Sequence, residues 1–501
     1  MSLRDANVII IETSRTVVRA GLGLFDLLKT PSVEIPARVG LRRGPTGDTV
    51  PPTRDGSVFD AMTGSSSRAT SAMPQPMKAA VTDYLVGKQL DEAIAAGQDL
   101  IISWPFAKGD IADWAQAEAI WKHILFNRLE RRRVQNESPV LLSIASGLPR
   151  TTYERICQMF FERFNVPGFG IVERPIVQMY ATNSLSGVVV DIGDYETDIT
   201  SIYDGYIVHQ GRTHLPLGLR DCEIYLAHLL RSNQSVMNTL SPPDHPLDQE
   251  TLQTRLLELV QQLWRDGHIR VPSDGETAAP EDEGVTDIAA IVVAGKEKAV
   301  IESGMKKKAT AKATAAELAR AREIEAMDLL TVQFGAHSLT LGKERHRMCE
   351  PLFDPRLLNG LNGVALREDD IPLRSLQEVV AHAVNLTDVD QRIYIRQGLA
   401  LTGDVTQHVK GIGLALQSRL APLLYSPDPS MDMQFRTTRV LTVPEYYAEY
   451  RETGNSYAAF LGTSITAKII FNDSNGRNYV SKAEYTSRGP RSIIDMTPAL
   501  I

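Results

Sequence analysis

The stretch Gly187-Val188-Val189-Val190-Asp191-Ile192-Gly193-Asp194-Tyr195-Glu196-Thr197-Asp198-Ile199-Thr200-Ser201-Ile202-Tyr203-Asp204-Gly205-Tyr206 decides how this chain reads. An apolar run from Gly187 to Val190 ends on the carboxylate of Asp191. A turn follows over Ile192-Gly193-Asp194-Tyr195, and a return strand passes through Ile199 to Tyr203. A continuous apolar run suits a strand buried on both faces. A carboxylate at the tip of such a strand is badly placed for packing. It is well placed to hold a hydrated cation over a phosphate chain; an ordinary acidic hairpin turn is the plainer alternative.

The same design occurs near the start. Val8 to Ile11 lead to Glu12, a turn, and a return strand from Thr16 to Ala20. Two strand–carboxylate–turn–strand hairpins so far apart suggest two halves of similar build facing one cleft. Further strands are expected at Asp99 to Ser103, Val140 to Ile144 and Leu399 to Leu401. Helices alternate with them. Asp113 caps one with Gln116 as its capping-box partner, and Thr151 with Glu154 repeats that signature. Leu252, Leu256, Leu259 and Leu263 recur at helical spacing in a third. The expected class is α/β, with mixed sheets covered by helices.

Composition narrows the function. The chain has 501 residues, 53 Lys and Arg against 61 Asp and Glu, and a formal charge of −8. That balance opposes a protein whose main surface grips nucleic acid. No apolar run is long enough to span a membrane, and Val8 to Ile11 is too short for a secretory signal. Cys157, Cys222 and Cys349 form no CxxC pair, so a reducing compartment is expected and neither a disulfide framework nor a zinc site is. The ten histidines show no metal-ligand spacing; His209 and His214 come nearest to a pair. Residues 44–76 read as a Pro-, Gly- and Ser-rich excursion, residues 272–284 as an acidic linker, and residues 296–326 as an exposed helix. Within the last, Lys306-Lys307-Lys308 with Lys312 reads as an import signal or a DNA-facing patch, with a solvated helix face as the alternative. Arg131-Arg132-Arg133 follows a helix, where cations are favoured.

Longer runs carry a resemblance. Trp104-Pro105-Phe106, Ile120-Trp121-Lys122-His123, Pro139-Val140-Leu141-Leu142 and Met159 to Pro167 look like the first lobe of actin. Gly187 to Tyr206 resembles actin's second phosphate hairpin, and Leu219-Arg220-Asp221 with Tyr225-Leu226 the helix after it. Val480 to Tyr485 with Gly489-Pro490 resembles the C-terminal segment. The additions at 44–76 and about 265–326 set the chain apart from actin itself. An actin-related protein is implied, and the chain most resembles the nuclear actin-related proteins of SWI/SNF and RSC chromatin-remodelling complexes.

The resemblance implies an actin-like two-lobed fold. The first lobe would span 1–181, with a variable outer part at 41–82. The second would span 182–457, with an outer part at about 218–387, and 458–501 would return to the first lobe. The hinge would lie near Tyr180 to Ser184 and again before the C-terminal segment. Nucleotide-site positions map to Glu12, Arg19, Asp191, Gly193, Asp194 and Gly403, but as vestiges. The first turn, Glu12-Thr13-Ser14-Arg15-Thr16, has lost both family glycines, and Arg15 replaces a serine that contacts phosphate. Arg19 keeps the charge of the family's lysine. Ile192, Tyr195 and Asp404 replace a serine and two glycines. Arg174 stands where a glutamine orients water, and Asp198 where a histidine nears the γ-phosphate. No catalytic residue, metal or cofactor is therefore expected, with ATP and Mg as the alternative.

The resemblance also implies a groove that accepts amphipathic helices. Tyr180, Gly205 and Tyr206 match one side and Ile465 and Ile469 the other, with core packing as the alternative for each. The implied partner is the helicase-SANT-associated helix of a remodelling ATPase, shared with a second actin-related protein and other remodeller subunits. The nucleus is the implied location, with no membrane and at most secondary contact with DNA. An ATP-switched actin-like protein and a filament-forming cytoskeletal protein are the competing readings.

Overall fold

The computed structural model describes residues 8–23, 29–43, 79–135, 137–272, 328–361, 373–424, 437–472 and 478–497. The expected excursion at 44–76, most of the linker at 272–284, and the helix at 296–326 with its lysine run lie outside the described residues. The chain divides into two compact units, Met1–Ala181 with Ala459–Ile501, and Thr182–Ala458.

The first unit is organised by a six-stranded sheet in the order Val480–Ser481, Gly168–Glu173, Val140–Ile144, Val8–Thr13, Val17–Gly23, Val33–Pro36. Val8–Thr13 runs parallel to Val140–Ile144 and antiparallel to Val17–Gly23. Every residue of Val8–Thr13, Val140–Ile144 and Gly168–Glu173 is buried, which is why these strands read as continuous apolar runs rather than alternating ones. An aromatic cluster fills one face. Trp121 is fully buried, with its ring centroid 5.5 Å from Phe106 and 5.6 Å from Phe160.

The second unit repeats the plan. Its five-stranded sheet has the order Tyr206–Leu215, Thr197–Tyr203, Gly187–Ile192, Gly398–Thr402, Arg439–Leu441. Gly187–Ile192 is parallel to Gly398–Thr402 and antiparallel to Thr197–Tyr203. Each sheet thus sets parallel strands on one side of a central strand and an antiparallel hairpin on the other. A second core packs the helices Leu219–Leu230, Gln249–Arg265 and Leu376–Asn385. Leu252, Leu256, Leu259 and Leu263 are all buried on one of them, as their spacing requires.

Two helix starts differ from expectation. Asp113 caps Trp114–Lys122 by accepting from the amides of Ala115 and Gln116, but the Gln116 side chain turns to Tyr84 instead of closing the box. The helix expected to start at Thr151 runs Arg150–Gln158 and is preceded by Pro149. Thr151 lies inside its first turn, because proline's fixed φ can set up a helix without a side-chain cap. His209 and His214 both lie on one strand, Tyr206–Leu215. Arg131 and Arg133 donate to the carbonyls of Leu129 and Glu162, the use of cations expected beside helix ends. All three cysteines are buried free thiols.

Candidate functional site: two carboxylate hairpins

In the first unit the tip of the central strand is closed by charge. Glu12 is only 1% exposed. Its Oε1 accepts from Arg174 Nη2 at 3.1 Å and lies 3.6 Å from Arg19 Nη1. Arg19, itself buried, is Glu12's register partner on the return strand and lies 3.3 Å from Glu34. Two guanidinium groups therefore converge on one carboxylate, and buried charges need such pairing.

The turn itself has a local explanation. The Ser14 hydroxyl donates to the Val17 carbonyl at 2.8 Å and accepts from the Val17 amide at 3.0 Å. This side-chain closure replaces what glycine would otherwise permit. Arg15 does not fold back over the turn. Its Nη1 donates to the Ala107 carbonyl at 3.2 Å, and its guanidinium lies against Gly109. Thr13 Oγ1 accepts from the Trp121 indole at 3.0 Å, which fastens the strand tip to the aromatic cluster.

The second hairpin has the same register with different side chains. Asp191 holds the position that Glu12 holds in the first sheet. Its parallel neighbour is Thr402 where Glu12 has Ser143, and its return-strand partner is Asp198 where Glu12 has Arg19. Thr402 Oγ1 donates to Asp191 at 3.1 Å. Opposed residues in register share a face, so two carboxylates lie side by side where the first hairpin has an ion pair.

The retained glycines here serve the backbone. A Cβ on Gly193 would come within 2.7 Å of the Glu196 carbonyl, which accepts from the Gly193 amide at 2.9 Å. Gly403 has a φ of 106°, and a Cβ there would run into the Ile192 carbonyl. The start of the Leu219–Leu230 helix is occupied too, since the Leu219 and Arg220 amides donate to the carbonyls of Gly193 and Asp194. Tyr195 stands exposed at the tip of the turn.

Against known proteins, the chain matches the actin family over residues 4–497. The chain belongs to the actin family. It is also similar to the SWI/SNF and RSC complexes subunit arp9 of Schizosaccharomyces pombe, 25% identical over a 540-residue alignment that covers 98% of this chain and 99% of that protein.

The actin-family positions expected to receive a helix divide between the units. Tyr180, Ile465 and Ile469 belong to the first, on the helices Arg174–Ala181 and Ala458–Asn472. These helices touch at Gly462, where a Cβ would run into the Val177 carbonyl. Tyr180 and Ile465 each lie one turn from that crossing and are half-buried. Ile469 is 65% exposed, so core packing does not account for it. In the second unit Tyr206 is 60% exposed. Gly205 has a different reason to be glycine. With Asp204 at φ 50° and Gly205 at φ 81°, the two form the tight turn between strands Thr197–Tyr203 and Tyr206–Leu215.

Sequence reasoning missed Glu34, Ser14 and Trp121 as supports of the first hairpin. Glu34 carried no signal, being an acidic residue on a short strand. Among the described residues, no group of three or more His, Cys, Asp and Glu could hold a metal ion, and no helix is long and apolar enough to cross a membrane.

Proposed function

We propose that this actin-family chain is a non-catalytic structural subunit of an ATP-dependent chromatin-remodelling complex in the nucleus. It binds the helicase-SANT-associated helix of the remodelling ATPase, together with a second actin-related protein and other remodeller subunits. The pairing of Glu12 with both Arg19 and Arg174 carries the non-catalytic half of this reading. A phosphate approaching the first turn would have to draw two guanidinium groups away from a buried carboxylate. In this reading the chain needs no ATP with Mg, and no hydrolytic step is assigned to it. The likeness to the S. pombe remodeller subunit over nearly all of both chains supports the partner half.

In this reading Tyr180, Ile465 and Ile469 of the first unit touch the partner helix, and so do Gly205 and Tyr206 of the second. The chain acts as a rigid clamp that fixes the direction of the helix relative to the motor. Affinity comes from apolar burial at about 25 cal/mol per Å², less the ordering of the helix. Co-expression of the chain with the helicase-SANT-associated segment tests this. Capture is expected for wild type and is lost in Tyr206→Asp and Ile469→Asp. Undiminished capture by both variants would contradict these contacts, and stoichiometric ATP retained on gentle purification would contradict the non-catalytic half.

A further inference from the structure

The second unit carries an exposed apolar surface of which Tyr206 is only one end. Tyr206 pairs in register with Tyr203 across the Asp204-Gly205 turn, and directly opposed residues lie on the same face. The Tyr203 ring meets Tyr394 with centroids 5.7 Å apart. From Tyr394 the short helix Val389–Ile395 continues the surface through Ile393 and Val389, four residues apart, and Leu386 precedes the helix by one turn. Val389 is 69% exposed and Tyr394 51%, and Leu386 and Ile393 are also exposed. The helix is not frayed, since Ile395 is fully buried beneath it. Single exposed apolar side chains are ordinary, but linked ones of this size mark interaction sites.

Exposed carboxylates punctuate this surface. Asp204 is exposed between the two strand tyrosines, and Asp388 and Asp390 are exposed on either side of Val389. Arg392, on the same helix, is half-buried and donates to the carbonyls of Asn385 and Thr387 at 2.7 and 2.8 Å. Arg396 is also half-buried, and His382 lies on the neighbouring helix.

We infer that this surface docks a basic amphipathic helix. Its apolar stripe covers Tyr206, Tyr394 and Val389, and its Lys or Arg side chains face Asp204, Asp388 and Asp390. The inference rests on the proposed function and extends it. The helix held at Tyr206 runs on over Val389–Ile395, and its flanks are cationic. Apolar contact supplies the affinity, and the carboxylates set direction and approach rate.

The test uses the full chain and the helicase-SANT-associated segment, with dissociation constants measured across a salt series. Val389 and Tyr394 are both more than half exposed, so in Val389→Asp with Tyr394→Asp thermal melting stays near wild type while affinity falls about tenfold or more. Asp388→Asn with Asp390→Asn weakens binding less and flattens its salt dependence. Wild-type affinity in the Val389/Tyr394 variant would overturn the inference. If Ile469→Asp, on the other unit, abolishes capture in the same assay, the proposed function stands without it. If neither change matters, both fall. Salt-insensitive binding by wild type would overturn the basic character of the partner. Self-association of the free chain that disappears in the Val389/Tyr394 variant would assign the surface to a second copy instead.

Discussion

Arg174 Nη2 donates to Glu12 Oε1 over 3.1 Å, joining the start of one helix to a strand tip 162 residues earlier in the chain. The two residues stand at positions where the family resemblance implies a water-orienting glutamine and a phosphate-side aspartate. The pair ties these two positions to each other.

This pair should be worth more to folding than to any reaction. Glu12→Ala removes the carboxylate on which Arg19 and Arg174 converge, and Arg19 is buried. Urea unfolding should show a loss of about 3 kcal/mol. No change in ATP turnover is expected, because none is expected in the wild type. A Glu12→Ala protein as stable as wild type would show that the cluster is dispensable.

Gly403 offers a separate stability test. Its φ of 106° and the Ile192 carbonyl beside it leave no room for a methyl group. Gly403→Ala should cost about 2 kcal/mol or more, and added Mg-ATP should recover none of it. Rescue by nucleotide would mean that the glycine serves a ligand.

His346 should make stability depend on pH. Its Nδ1 accepts from the Arg270 amide at 3.0 Å and its Nε2 lies 2.7 Å from Asp328 Oδ2, which ties together the residues on either side of positions 271–327. Burial is the main cause that lowers its pKa below the ordinary histidine value, against the Asp328 contact that raises it. The unfolded chain then binds the proton more readily. The contribution is complete above the unfolded value of about 6.5 and is lost as pH falls below it. Melting temperature should drop as pH falls below about 6.5, and His346→Gln should flatten that part of the curve. The same slope in wild type and variant would place the titration elsewhere.

Much of this was legible in the sequence where one physical cause dominates. Double-sided burial made Val140–Ile144 readable to the residue, and the helical leucines from Leu252 to Leu263 lie on one buried face. The two hairpins were legible because a carboxylate ending an apolar run is a conflict that packing alone does not produce. Long-range pairing was not legible. Nothing in sequence spacing joins Glu12 to Arg174, or Tyr203 to Tyr394. Glycine was legible as a type but not as a reason. Gly205 is required by a turn, and Gly193 and Gly403 by carbonyls of Glu196 and Ile192 that approach from other residues. Thr151 shows the opposite case, in which a local cap signature yields to the proline just upstream.

The central claim is that partner-helix capture proceeds without nucleotide. Calorimetric titration of the helicase-SANT-associated segment into the chain, with and without saturating Mg-ATP, tests it most directly. The account predicts the same dissociation constant in both and no heat from ATP alone. A shift of about tenfold, equivalent to about 1.4 kcal/mol of coupling, would make the chain a nucleotide switch and contradict it.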